Sequence, residues 1–88
     1  MLDAIRLSLR LTVNDFDTEI TDLIESCKYD LKLAGIVEIP DNDPLILRAV
    51  TLYAKGHFGF ADIGETYLKA YEHLKISLCL SGEYKGAI

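Results

Sequence analysis

Few side chains in this sequence are able to do chemistry: His57 and His73, Cys27 and Cys79, and the carboxylates spread along the stretch from Asp15 to Asp30. A zinc site needs N, S or O donors at short, converging spacings, and neither histidine has a Cys, His or carboxylate so placed. A nucleophilic cysteine needs a base on its own face. His73 and Cys79 stand at i and i+6, which turns them apart on a helix. Cys27 falls among apolar positions with no base at helical spacing, so it reads as core filler. With no C-x-x-C spacing, the two cysteines fit free thiols in a reducing cytoplasm. His57 lies beside Phe58 and one turn after Tyr53, as a histidine packed at a helix end would. Gly56, Gly59 and Gly64 are separated by bulky residues and follow no strand, so they form no phosphate-binding loop. The carboxylates fall on the outer face of their helix, where water solvates them. These patterns point to no catalytic residue, no metal and no cofactor, and leave function to the surfaces that the helices present.

The elements that carry those residues are four helices. Leu2 to Val13 alternates apolar and polar residues, which suggests a strand. No second run offers it a partner, however, and an isolated strand leaves its backbone unsatisfied. A short helix from about Asp3 to Leu9 is expected instead, capped by Asp3, with Leu2, Ile5 and Leu9 on one face. The second helix carries its start and stop in the sequence. Asn14 or Asp15 is expected as N-cap; Asp17, Glu19 and Asp22 suit the positive end of its dipole, and Lys28 and Lys32 the negative end. Gly35 is expected to end it in a left-handed turn, with Ile36 folding back on Leu31. Its apolar stripe is Phe16, Ile20, Leu23, Ile24, Cys27, Leu31 and Ala34.

Asp43-Pro44 opens a third helix, Asp43 as cap and Pro44 in the first turn, where its missing N–H is harmless. Between Leu45 and Lys55 only Arg48, Thr51 and Lys55 are polar, and they form one narrow strip. A helix so apolar is central in its fold or partly covered by a neighbouring subunit. Val50 and Tyr53 are assigned to the core, and Gly56 and Gly59 to a frayed end. Residues 60–64 form a loop. A fourth helix then runs from Glu65 to about Leu80, its inward face Tyr67 or Leu68, Tyr71, Leu74 or Lys75, and Leu78. Tyr67 and Tyr71 are expected at the core edge with their hydroxyls wet. Residues 82–88 read as a flexible tail. The fold class expected is all-α, a compact bundle of four helices in a single domain spanning residues 1–88.

With 88 residues, about 60–65% of the unfolded surface can be buried. Half the residues are apolar, more than such a core needs, which suggests a partner subunit. The net charge of −5 and the lack of any basic run argue against gripping nucleic-acid phosphates. No signal peptide and no membrane span are expected, since the longest uncharged stretch falls well short of the roughly 20 residues a bilayer requires. A small helix-turn-helix DNA-binding regulator is the alternative by size and helicity, but no helix shows a persuasive recognition face.

Taken in order, the marks are Leu2-Asp3-x-Ile5-x-x-x-Leu9-Arg10, Asp15-Phe16-Asp17-x-Glu19-Ile20-x-x-Leu23-Ile24-x-x-Cys27 and Ala34-Gly35-Ile36. Then come Asp43-Pro44-Leu45 with Ala49-Val50-x-Leu52-Tyr53, Tyr67-x-x-x-Tyr71-x-x-Leu74-x-x-x-Leu78, and Gly82-Glu83-Tyr84. This order resembles the head-tail connector proteins of tailed bacteriophages, also described as DNA-packaging or head-completion proteins. The resemblance implies a structural virion or prophage protein with no catalysis. It implies a homo-oligomeric ring on the portal protein that extends the DNA channel, lets DNA pass without sequence-specific binding, and meets the next connector or tail-completion protein. Its location would be the virion, and the host cytoplasm before assembly. Leu45, Leu52, Phe60 and Tyr84 are the residues expected at a subunit interface. Many members carry an Asn-Arg pair near the start of the last helix, and Phe60-Ala61-Asp62-Ile63-Gly64 lacks it here.

Overall fold

The computed structural model describes residues 1–10, 16–37, 39–40, 42–58 and 64–81. They form α1 (Leu2–Ser8), α2 (Asp17–Leu33), α3 (Pro44–His57) and α4 (Gly64–Ser81). The described residues contain no strand. In α1, Ile5 and Leu9 are buried while Leu7 is 78% exposed. A strand would have put all three on one face; the helix separates them. Asp3 makes no cap. Met1 holds that position without a side-chain bond, and Asp3 accepts instead from Arg6 Nη1 at 3.0 Å.

The start of α2 differs from expectation for a tertiary reason. Phe16 is the N-cap residue, with no side-chain cap bond, while Asn14 and Asp15 lie outside the described residues. Asp17 opens the helix with both carboxylate oxygens held by Arg6, Nε to Oδ1 at 3.0 Å and Nη2 to Oδ2 at 2.7 Å. This two-pronged pair ties α1 to the first turn of α2. Phe16, expected in the core, is 39% exposed. Its ring meets Phe58 edge-on, with centroids 5.3 Å apart, so it closes the bundle's rim.

At its other end α2 stops as a Schellman turn. Gly35 takes φ +95°, its N–H donates to the Lys32 carbonyl, and the Ile36 N–H reaches back to the Leu31 carbonyl, both at 2.9 Å. Ile36 is thereby turned into the core, fully buried beside Leu31. At the head of α3, Asp43 Oδ1 accepts from the Leu45 and Ile46 N–H groups at 2.8 and 3.3 Å, with Pro44 in the first turn.

α3 lies at the centre: it packs most extensively on α4, then on α2 and α1. Ile46, Ala49, Val50 and Ala54 are its buried side. They join Ile5, Ile20, Ile24, Cys27, Leu31, Ile36, Tyr71 and Leu78 in one cluster, with Leu23, Tyr53 and Leu74 half-buried around it. Cys27 and Cys79 are free thiols. Burial pushes the Cys27 thiol up to about 12, so it stays neutral and inert at physiological pH.

Gly56 does not fray α3, which continues to His57. It marks a close crossing. A Cβ on Gly64, the first residue of α4, would stand 2.9 Å from the Gly56 carbonyl oxygen, and one on Gly56 would run into the Leu68 side chain. The absence of two methyl groups lets the helices approach here.

Two substitutions test these backbone devices. Gly35→Ala is expected to destabilise the chain by about 1–2 kcal/mol, because the site is sterically open but left-handed. Gly64→Ala is expected to cost about 1–3 kcal/mol by overpacking, in spite of the better helix former introduced. Urea denaturation measures both.

Candidate interaction surface

α4 has a thin apolar stripe. Only Gly64, Tyr71 and Leu78 are buried on it, and these recur every seven residues, too narrow a seam to fix the helix's rotation firmly. A polar pin between α2 and α4 supplies the rest. Tyr71 Oη donates to Asp30 Oδ2 at 2.5 Å, and Lys75 Nζ donates to the same oxygen at 3.0 Å. Behind them the Cys27 thiol donates to Tyr71 Oη at 3.7 Å. Tyr53 packs edge-on against the Tyr71 ring at 5.2 Å. Lys75 also pairs with Glu72 at 3.0 Å, and higher up the Cys79 thiol donates to the Ala34 carbonyl at 3.2 Å.

Three expectations change here. The Tyr71 hydroxyl is not wet, since the residue is 2% exposed. Lys75 is turned inward along with Leu74, its side chain 16% exposed. Asp30 leaves the solvated face of α2. The helical spacing held a hint: Cys27 and Asp30 are neighbours on α2, as are Tyr71 and Lys75 on α4.

The charges support one another. Burial works to raise the Asp30 pKa, but the bonds from Tyr71 and Lys75 outweigh it and leave it below the ordinary 3.8. Burial likewise works to lower Lys75, and its bonds to Asp30 and Glu72 leave it raised. Burial and the Asp30 bond raise Tyr71, so the phenol stays protonated and donating. A tyrosine, lysine and aspartate in contact can move protons in principle. Here the phenol is enclosed and one oxygen of the partly exposed carboxylate takes both bonds, so the cluster joins α2 to α4.

The outward side of α3 is different in kind. Leu45 is 44% exposed, and Leu45, Arg48, Leu52 and Lys55 follow one another at i, i+3, i+7 and i+10. Arg48, Leu52 and Lys55 of this strip, with Pro44, Leu47, Thr51 and, from α4, Tyr67, border a groove of about 420 Å³, and Leu45 lies outside its lining. Leu47 and Leu52 are half-buried in it. Thr51 Oγ1 is bonded back to the Leu47 carbonyl at 2.8 Å, which leaves the floor largely apolar. Lys55 Nζ sits 5.4 Å from the Tyr67 ring centroid, a cation over an aromatic face. Phe60 and Tyr84, the other expected interface residues, lie outside the described residues, as does the expected tail of residues 82–88.

His57 is exposed, its ring 4.4 Å from that of Tyr53, and His73 is exposed on α4. Among the described residues no group of three His, Cys, Asp or Glu could hold a metal ion, and no helix is long and apolar enough to cross a membrane.

Compared with protein-family models, residues 1–85 match the family described as phage connector protein. No curated protein and no solved structure matches the chain.

The pin makes acid sensitivity predictable. Asp30's folded pKa lies below its unfolded value of 3.8, so its contribution is in place above about pH 4 and is lost as pH falls through the folded value. Tyr71→Phe is expected to destabilise by about 1–2 kcal/mol near neutral pH, the lower part of the range for bonds to charged groups because Asp30 is partly exposed. The gap from wild type is expected to shrink at pH 2.5. Urea denaturation of both proteins at the two pH values checks this, and an unchanged gap would mean that Asp30 is not the source.

Proposed function

Because this chain belongs to the phage connector protein family, a family of structural phage proteins, we propose that it is a head-tail connector subunit that closes into a ring on the portal. In that position it extends the DNA channel and presents a surface to the next connector or tail-completion protein. The observation that carries this reading is the family match over residues 1–85. The outward strip of α3 supports it physically. A cyclic assembly joins one patch of a subunit to a different patch of the next; Leu45 is exposed apolar surface, and the half-buried Leu52 shows its outer side in the groove.

The charge supports it too. A net −5 disfavours adhesion of the phosphate backbone, which suits a wall that DNA must slide past. The work done is geometric: alignment of two channels and sealing of their joint, with no bond made or broken. The subunit is a component of the particle, assembled from the host cytoplasm onto filled heads.

Electron microscopy of the protein mixed with its portal tests the reading. A ring of extra density on the portal's exit side is the expected result. Absence of any portal association in an assembly-competent mixture would overturn it. In the same preparation, DNA retention on a filter is expected to stay at background at both low and high salt.

A further inference from the structure

The α3 groove has a charge pattern as well as an apolar floor. Arg48 and Lys55 flank it, on a chain with nine basic and fourteen acidic residues. Arg6, Lys69 and Lys75 are each held by carboxylates. Among the described residues, Arg48 and Lys55 are within ion-pair distance of none, and Lys55 rests only on the Tyr67 ring. The outward face of α2 has the opposite pattern. Glu19, Asp22 and Glu25 are all exposed, and among the described residues no cation pairs with them. Tyr29, one turn beyond Glu25 and 64% exposed, ends the acidic stretch, and Lys28 and Lys32 border the same surface.

The spacings agree. At 1.5 Å per residue, Arg48 and Lys55 are about 10.5 Å apart along α3, and Glu19 and Glu25 are about 9 Å apart along α2. The two faces belong to different sides of one subunit: α2 buries Ile20, Ile24, Cys27 and Leu31, and α3 turns Ile46, Ala49, Val50 and Ala54 inward. They therefore cannot satisfy each other within a copy. Between copies they can, and the contact is then heterologous, which is the kind that propagates around a ring.

We propose that the occupant of the α3 groove is the acidic outward face of α2 from a second copy of this chain, with Arg48 and Lys55 set against Glu19, Asp22 and Glu25. The proposal rests on the ring reading above and names the surfaces that close the ring. The apolar floor supplies burial, and the charges fix the register and exclude a groove-to-groove pairing of like cations.

A charge exchange between copies tests it. In Arg48→Glu the groove repels the acidic α2 face; in Glu25→Arg the α2 face repels the basic groove. Each variant alone, checked as folded by circular dichroism, is expected to form rings on the portal at least about tenfold less readily than wild type, as like-charge juxtaposition implies. In an equimolar mixture every contact between unlike variants is again complementary, so rings of alternating copies are expected to return. Rings from either variant alone at wild-type yield, or a mixture that stays unassembled, would overturn the proposal. These failures differ from failure of the ring reading, in which wild type itself forms no ring on the portal.

Discussion

Asp30 is the carboxylate on which the geometry of the bundle turns. Helices α2 and α3 each bury four side chains and so set their own orientation. α4 does not, because its buried residues form a seam only Gly64, Tyr71 and Leu78 wide. The bonds from Tyr71 and Lys75 to one oxygen of Asp30 fix its orientation, because a phenol and an ammonium cannot leave their shared acceptor without stranding partly buried polar groups. The glycine crossing of Gly56 and Gly64 sets the height of α4 on α3, and the pin sets its angle.

That angle has a consequence on the far side of the helix pair. Tyr67 precedes Tyr71 by one turn, so fixing Tyr71 against Asp30 also fixes where Tyr67 stands over Lys55. The groove on α3 is thus bordered by a residue whose position is decided within the bundle. An assembly surface gains from such rigidity, since less ordering remains to be done when subunits meet. The inward and outward faces of α3 differ: Ile46, Ala49, Val50 and Ala54 hold the subunit together, while Leu45 and Arg48 are exposed and Leu52 and Lys55 half-buried on the other side.

Much of this was legible in the sequence where the determinants are local. Gly35 followed by Ile36 writes a helix stop within three residues, and Asp43-Pro44 writes a helix start. Cys27 falls on the apolar period and is buried. Legibility failed where a distant residue decides. Asn14 or Asp15 was the natural cap for α2, but the Asp17 carboxylate is taken by Arg6 from the preceding helix and Phe16 sits at the cap position. Phe16 has the spacing of a core residue, yet it lies at the stripe's end, where its ring meets that of Phe58 edge-on. Asp30 and Lys75 look like ordinary solvated charges until α2 and α4 are brought together. Gly56 reads as a breaker because spacing along one helix cannot show that another helix crosses there. Of the surface, the polar strip of Arg48, Thr51 and Lys55 and the surplus leucines beside it were visible in the sequence. That they border a groove required Tyr67 from α4.

The central claim is that the outward strip of α3 is the surface by which this connector subunit meets its neighbour. Hydroxyl-radical footprinting of the wild-type chain, free and then assembled on its portal, measures this most directly through oxidation of Leu45, Leu52 and Tyr67. The account predicts that these side chains become protected on assembly, together with Tyr29 on the outward face of α2. Unchanged oxidation of all four in assembled particles, with protection appearing elsewhere, would contradict it.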